Sequence, residues 1–320
     1  MRKMTLTDFK EHEWQIIANA AAMRAKQSML EERVLNPLRS RGITYQISHG
    51  EGAGSGMALA ERLCREGHRH LIVAGGDGTV NEVVNGIYAS GVDASEVYLA
   101  IIPLGTGNDF CRTIGCPPME EGVEFLLNTS FRPTDVGVVE TIVQEKVMAK
   151  RHFINIAGFA FDAAVIQETT KGKPKLFPSA VYLLKLVKVL FTYRALPVKI
   201  HTDNGDWEDE VFTIAVGNAQ YNGNGMRQVP MADPHDGFLD ISIIRKIRPL
   251  KVVANVKKLY SGRHLELPEA QVMRAKQVEI SSRGKLLGEV EGEMLETGNY
   301  RIRIADRPLN VMSNFVDKKS

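Results

Sequence analysis

The sequence predicts an α/β protein of two domains, with a doubly wound N-terminal domain followed by a β-rich C-terminal one. Three observations carry that expectation. Short, uniformly apolar runs alternate with helix-like segments over about 130 residues, as in a parallel sheet covered on both faces. Two of those runs end in glycine-rich turns, GGDGT and LGTGN, and each turn opens a helix-like segment. After Thr134 the texture changes to β-like segments at irregular spacing.

The elements follow in order. WQIIA at 14–18 reads as a first strand, and 24–41 as a helix with Met29, Val34, Leu35 and Leu38 on one side. GITYQIS at 42–48 is a second strand, and 54–67 a helix stopped by Gly67. HLIVAG is a short buried strand before a helix over 79–90, and EVYLAIIPLG at 96–105 another before a helix over 107–114. Beyond Thr134, segments such as TDVGVVETIV, HFINIAGFAF, VFTIAVGNAQ and GFLDISII are β-like, with helical patterns at 178–193 and 249–261. The expected domains are therefore 1–134 and 135–305, with a last strand within 306–320 returning to the first.

The bulk properties are those of a globular chain. It has 320 residues, 44% hydrophobic and 24% charged, with a net charge of +2. Cys64, Cys111 and Cys116 form no CxxC pair, which suits free thiols in a reducing compartment. No apolar signal-peptide core and no run of about 18 apolar residues occurs, so the expected location is cytoplasmic, without a transmembrane segment. The aromatic and basic interleaving of a nucleic-acid surface is absent.

Chemistry concentrates on the two turns. Gly75, Gly76 and Gly78 permit close backbone approach, successive N–H groups can cradle an anion, and the following helix adds its positive end. Thr79-x-x-Glu82 fits a capping box, placing the helix start at Thr79. Asp77 repels a phosphate unless a cation bridges them, so it suggests Mg²⁺ or contact with a transferring group. A tight turn without ligand is the competing reading. Gly105-Thr106-Gly107 repeats the logic, with Asn108 and Asp109 as capping types. In a doubly wound sheet both turns fall on the carboxyl edge, where ligands bind. Neither G-x-G-x-x-G nor a Walker sequence fits.

Taken together, GGDGTVNEVVNG and PLGTGNDF closely resemble the diacylglycerol kinase catalytic family, particularly the soluble bacterial lipid kinases. Sphingosine kinases are similar and NAD kinases more distant. The likeness continues through FINIAGFAFDAAV, GNAQYNGNGM, ADPHDGFLDISII and EGEML, nearly the whole chain. The resemblance implies a nucleotide domain plus a β-sandwich-like domain with the active site between them. It implies ATP phosphates on Gly75, Gly76, Asp77, Gly78, Thr79, Val80 and Asn81, with Gly105, Thr106, Gly107 and Asn108 lining the nucleotide. Asn19 and Ser48 match further nucleotide-side positions. Glu293 stands where the family has its proposed general base, and Asp77 would organise metal and phosphate. Asp233, Asp236 and the carbonyl of Phe238 match a Mg²⁺ site, and Asp135 a junction aspartate on the lipid side. The residues alone also suggest that Glu289, Glu291 and Glu293 alternate along a strand and share one face, crowding that raises a carboxyl pKa.

Three departures stand out. The family's first turn reads NPxxG, whereas this chain has Asn19-Ala20-Ala21-Ala22-Met23. Ala160 and Glu291 replace the usual glycine of GFDA and aspartate of DGE. Residues 169–202 carry Lys171, Lys173, Lys175, Lys185, Lys188, Arg194 and Lys199 with no acid, a candidate contact with anionic lipid, against a core helix with snorkelling lysines.

The leading expectation is an ATP- and Mg²⁺-dependent lipid kinase, phosphorylating a hydroxyl of diacylglycerol or a similar lipid at a membrane surface. A catalytically weak nucleotide- or lipid-binding regulator and an NAD kinase-like enzyme are the alternatives. The sequence leaves a homodimer open.

Overall fold

The computed structural model describes residues 9–19, 26–170 and 179–316, without the side chains of 179–184. Its strands form two sheets. The first contains β1 (Trp14–Asn19), β2 (Tyr45–Gly50), β3 (His70–Gly75), β4 (Tyr98–Pro103) and β5 (Phe131–Thr134), together with β17 (Leu309–Met312) from the far end of the described chain. Their order is β2-β1-β3-β4-β17-β5, with β1 to β4 mutually parallel. Uniform apolarity explains the layering. Ile17, Leu71, Val73, Leu99 and Ile101 enter one core, and Ile16, Ile72, Ala74, Ala100 and Ile102 the other. Helices Ser55–Arg65 and Asp77–Ala89 cover the first, while residues 26–40 and helix Gly122–Asn128 cover the second.

Gly86 sets the spacing of the paired helices, since a Cβ there would lie 2.2 Å from the Met57 carbonyl oxygen. The capping-box expectation is corrected. The helix starts at Asp77, and its first turn has no side-chain cap. Glu82 turns instead to the neighbouring helix, where its carboxylate accepts the Gly54 and Gly56 N–H groups at 2.7 and 2.9 Å. Two orphan amides and a helix's positive end outcompete Glu82's own first turn.

The second sheet contains β6 (Gly137–Val143), β7 (Lys146–Phe153), β8 (Ile156–Ala160), β9 (Leu196–Thr202), β10 (Gly205–Gly217), β11 (Leu239–Arg245), β12 (Ala270–Ala275), β13 (Gln277–Ser282), β14 (Gly288–Val290), β15 (Glu293–Met294) and β16 (Asn299–Ile304). It closes into a sandwich-like layer pair through β10. The first half of β10 pairs with β9 and the second half with β8 and β11, the register shifting between Val211 and Thr213. Phe153, Phe159, Val198, Ile214, Ile241, Ile280 and Tyr300 fill the space between. Helices Phe161–Thr170, Ser179–Thr192 and Pro249–Ser261 lie outside.

Candidate functional site

The two glycine turns meet. Gly76 and Gly105 pack so closely that a Cβ on Gly105 would lie 2.6 Å from the Gly76 Cα, which only glycine at both positions allows. Gly75 is equally constrained, because Thr79 occupies the place of its missing side chain. Gly78 is different: it borders nothing within 4 Å, leaving its backbone open. Asp77 joins the turns, its Oδ1 accepting the Phe110 N–H at 3.1 Å at the start of helix Asp109–Ile114. Asn108 donates to the Gly105 carbonyl at 2.9 Å, and its own Oδ1 is buried without a partner among the described residues. Beside the second turn lies an open cleft of about 420 Å³, lined by Gly105, Thr106, Gly107, Asn108 and Arg112.

The second domain is strapped to this edge at Asp109 and at Asn81 and Asn85. Asp109 accepts the Asn224 and Gly225 N–H groups at 2.8 and 2.7 Å. Asn81 and Asn85 donate to the His152 carbonyl at 3.1 and 2.9 Å, and Asn85 accepts the His152 N–H. Within the second domain, Glu291 Oε1 accepts the Ile154 and Asn155 N–H groups at 2.7 and 2.9 Å, while its buried Oε2 has no hydrogen bond within normal distance among the described residues and the Asn81 amide lies near enough to lower its pKa. Burial pushes Glu291 up to about 7, the charge of Asp77 adding to it and the two N–H groups pulling it down. Glu291 therefore faces the GGDGT turn. Sequence reasoning gave Asp109 only a helix-capping role and Glu291 only a place among the crowded glutamates. The Glu291-Gly292 pair between β-like residues was the signal for a hairpin tip.

That hairpin corrects the shared-face expectation. β14 and β15 pair antiparallel, with Glu289 opposite Met294 and Val290 opposite Glu293. Glu291 and Gly292 form the two-residue turn, with φ of 50° and 86°. The three glutamates consequently part. Glu289 is buried against Gly158 and pushed up to about 8, by burial first and then by Asp162 and Glu291. Glu293 is exposed and ion-paired with Arg151.

The remaining expected residues lie around this edge. Asn19 ends β1, and residues 20–23 lie outside the described chain. Ser48 is within β2, paired with Ile17. Asp135 accepts the Gly237 N–H at 2.7 Å, and burial pushes it up to about 6, with Asp236 and Asp233 adding. Asp233 accepts the His235 N–H, and Asp236 accepts from Phe238 N–H and pairs with Arg274. Among the described residues no group of three or more His, Cys, Asp or Glu has the arrangement to hold a metal ion. Lys171, Lys173 and Lys175 lie outside the described residues, while Lys185 and Lys188 both reach Glu168. No helix among the described residues is long and apolar enough to cross a membrane.

Two glycine turns on the carboxyl edge of a doubly wound sheet, closed by a carboxylate hairpin from a β-sandwich-like domain, define a two-domain kinase of the phosphotransferase type. Comparison agrees. Residues 13–139 match the diacylglycerol kinase catalytic domain, and residues 156–313 the YegS C-terminal NAD kinase beta sandwich-like domain. A "Probable lipid kinase YegS-like" of Pseudomonas putida is 28% identical over 90% of this chain and 92% of its own. The protein of the same description from Pseudomonas aeruginosa PAO1 is 29% identical over 81% of each. A crystal structure described as a diacylglycerol kinase from Bacillus anthracis superposes with a TM-score of 0.70 at 22% identity, covering 95% of this chain and 98% of that one. The chain belongs to the diacylglycerol kinase catalytic-domain family and is a lipid kinase.

Proposed function

We propose that the protein transfers the γ-phosphoryl group of ATP to a hydroxyl of diacylglycerol or a similar neutral lipid. The observation that carries this reading is the hairpin tip at Glu291, fixed by the Ile154 and Asn155 N–H groups with its buried carboxyl in the field of Asp77 on the GGDGT turn. It sets a carboxylate-bearing strand end opposite a phosphate cradle. The phosphates lie on the open backbone at Gly78 and the helix start behind it. The nucleoside extends into the cleft beside Thr106 and Asn108. Glu293, one residue beyond the tip, takes the proton of the attacking hydroxyl, and Arg151 orients its carboxylate.

A divalent cation fits the acidic surroundings in two places. Asp77 and the buried Glu291 Oε2 would hold Mg²⁺ beside the phosphates, and Asp233, Asp236 and the Phe238 carbonyl would be the two-carboxylate alternative in the loop. When bound, Mg²⁺ screens phosphate charge. Arg274 already neutralises part of the loop, so the turn site is the stronger of the two.

The acceptor side is the apolar cavity of about 120 Å³ walled by Phe161, Phe212, Ile244, Val252 and Leu259. Asp162 stands at its polar end, close enough to Glu289 for each to feel the other's field. An acyl chain in the cavity would direct its hydroxyl end toward the hairpin. Helix Pro249–Ser261 lines the cavity with one face and exposes Leu250, Val253 and Tyr260 on another, a surface suited to peripheral bilayer contact. Phosphotransfer from labelled ATP to a panel of neutral lipids in mixed micelles tests the reading. Product with a lipid carrying a free hydroxyl supports it; none with any lipid, alongside retained ATP binding, overturns it.

A further inference from the structure

Behind helix Asp77–Ala89, where the two domains meet, lies a separate cavity of about 140 Å³. Its floor is a row of three residues, Arg303, Val138 and His152, paired side by side across β16, β6 and β7. Tyr88, Val92 and Ala94 wall it from the first domain. Ala305, Asp306 and Arg307 close it, on the link that carries the chain from β16 back to β17 in the first sheet. Neither domain forms the cavity alone.

Its charge is predominantly positive, three cations to one carboxylate. Lys150, Arg303 and Arg307 all line it, and Lys150 has no acidic partner among the described residues. Asp306 pairs with Arg303 at 3.1 Å, but its side chain is 90% exposed, so a better-placed anion displaces it at little cost. Asp93 pairs with Arg307 at 3.6 Å and does not line the cavity. His152 stacks on Tyr88 with ring centroids 4.2 Å apart. Burial, then Lys150 and Arg303, push it down to about 4, so near neutral pH the ring is uncharged and one nitrogen can donate. Tyr88 donates its hydroxyl to the Arg307 carbonyl at 2.6 Å, pinning the helix to the link.

We propose that this cavity binds a phosphate monoester group, with Lys150, Arg303 and Arg307 supplying charge and the His152 ring a hydrogen bond. Converging cations around a half-apolar pocket suit a small anion with a short organic stem. The site is distinct from the nucleotide edge, yet the His152 backbone bonds Asn81 and Asn85 of the helix that begins at the phosphate turn. Occupancy therefore bridges the two domains at the strap that positions that helix. This inference does not rest on the kinase reading.

The test follows the His152 ring signals by NMR in the full chain, assigned by comparison with His152→Asn. Inorganic phosphate, glycerol 3-phosphate, and phosphatidylcholine vesicles with and without phosphatidic acid are the probes, at constant ionic strength set with chloride. The expected result is a saturable shift, with the His152 titration midpoint rising by about one pH unit as the anion offsets Lys150 and Arg303. Lys150→Gln, an exposed substitution, weakens that response about tenfold. A response to the soluble probes identifies a free phosphate compound; a response to phosphatidic acid vesicles alone identifies a lipid headgroup. A His152 signal unmoved by every probe, or moved equally in Lys150→Gln, overturns the proposal.

Discussion

Asp77 Oδ1 accepts the Phe110 N–H at 3.1 Å, so the carboxylate of the first glycine turn caps the helix opened by the second. This one residue holds the two turns together and faces the hairpin tip. Asn retains an acceptor at that position but loses the charge. Asp77→Asn should keep the fold, with a stability change under about 1 kcal/mol, while turnover falls at least about a hundredfold. Asp77→Ala should add a destabilisation of about 1 kcal/mol. Urea unfolding and the labelled-ATP assay separate the two effects. Near-normal turnover in Asp77→Asn would remove Asp77 from the chemistry.

The glycines of GGDGT do different jobs. Gly86, at the end of the same motif, meets the Met57 carbonyl, so Gly86→Ala must force the helix pair apart, at about 2–4 kcal/mol. Gly78 sits in a helix with nothing near its missing Cβ. Gly78→Ala should therefore be neutral or stabilising by up to about 1 kcal/mol, yet weaken ATP binding, since a methyl group would stand in the phosphate's path. Thermal unfolding and nucleotide titration measure both. Unchanged ATP affinity in Gly78→Ala would move the phosphates off this turn.

Much of this was legible beforehand. Uniform runs such as HLIVAG and EVYLAIIPLG mark the parallel sheet, because strands buried on both faces cannot alternate. The turns were legible because glycine clusters after such runs have few other uses. What escaped was non-local. Thr79-x-x-Glu82 satisfies a local capping rule, but Glu82 serves Gly54 and Gly56, 28 and 26 residues away. Asp109 looks like a helix cap and instead ties the Asn224–Gly225 loop. EVEGEML alternates like one strand, and the Glu291-Gly292 dihedrals fold it into a hairpin. Short-range patterns cannot reveal which distant amide a carboxylate will meet.

The Glu82 bridge is testable by stability alone. Glu82→Ala removes the acceptor for two N–H groups at the start of helix Ser55–Arg65 and should cost about 1–2 kcal/mol. Glu82→Gln keeps an acceptor and should lose less than half of that. Equal losses in chemical denaturation would mean the charge, not the geometry, carries the effect.

The buried carboxyls give stability a definite pH slope. Glu289 is pushed up to about 8 and Glu291 to about 7, against an ordinary value of 4.5. A carboxyl whose folded pKa is raised binds more protons folded than unfolded. Stability therefore falls as pH rises from about 4.5 through 7 and 8, and levels off above. Glu289→Gln, a neutral isostere at a buried site, should flatten that slope and raise stability at pH 8 by at least about 1 kcal/mol, with little change at pH 4.5. Urea midpoints across this range decide it, and an unchanged slope would place the Glu289 proton elsewhere.

The exposed face of helix Pro249–Ser261 gives the last expectation. Leu250 and Val253 are 72% and 51% exposed, beside Lys251, Lys257 and Lys258, and the same helix walls the apolar cavity. A solvated helix has no reason to present these side chains together, whereas a bilayer surface offers both an apolar layer and negative charge. Leu250→Glu with Val253→Glu buries no new charge in the protein, so thermal stability should stay within about 1 kcal/mol. Co-sedimentation with anionic vesicles should fall at least about fivefold, and turnover on vesicle-borne lipid with it, while turnover on a short-chain soluble lipid persists. Loss on both substrates would point to damage in the cavity wall. Loss on neither would place the membrane contact on another surface.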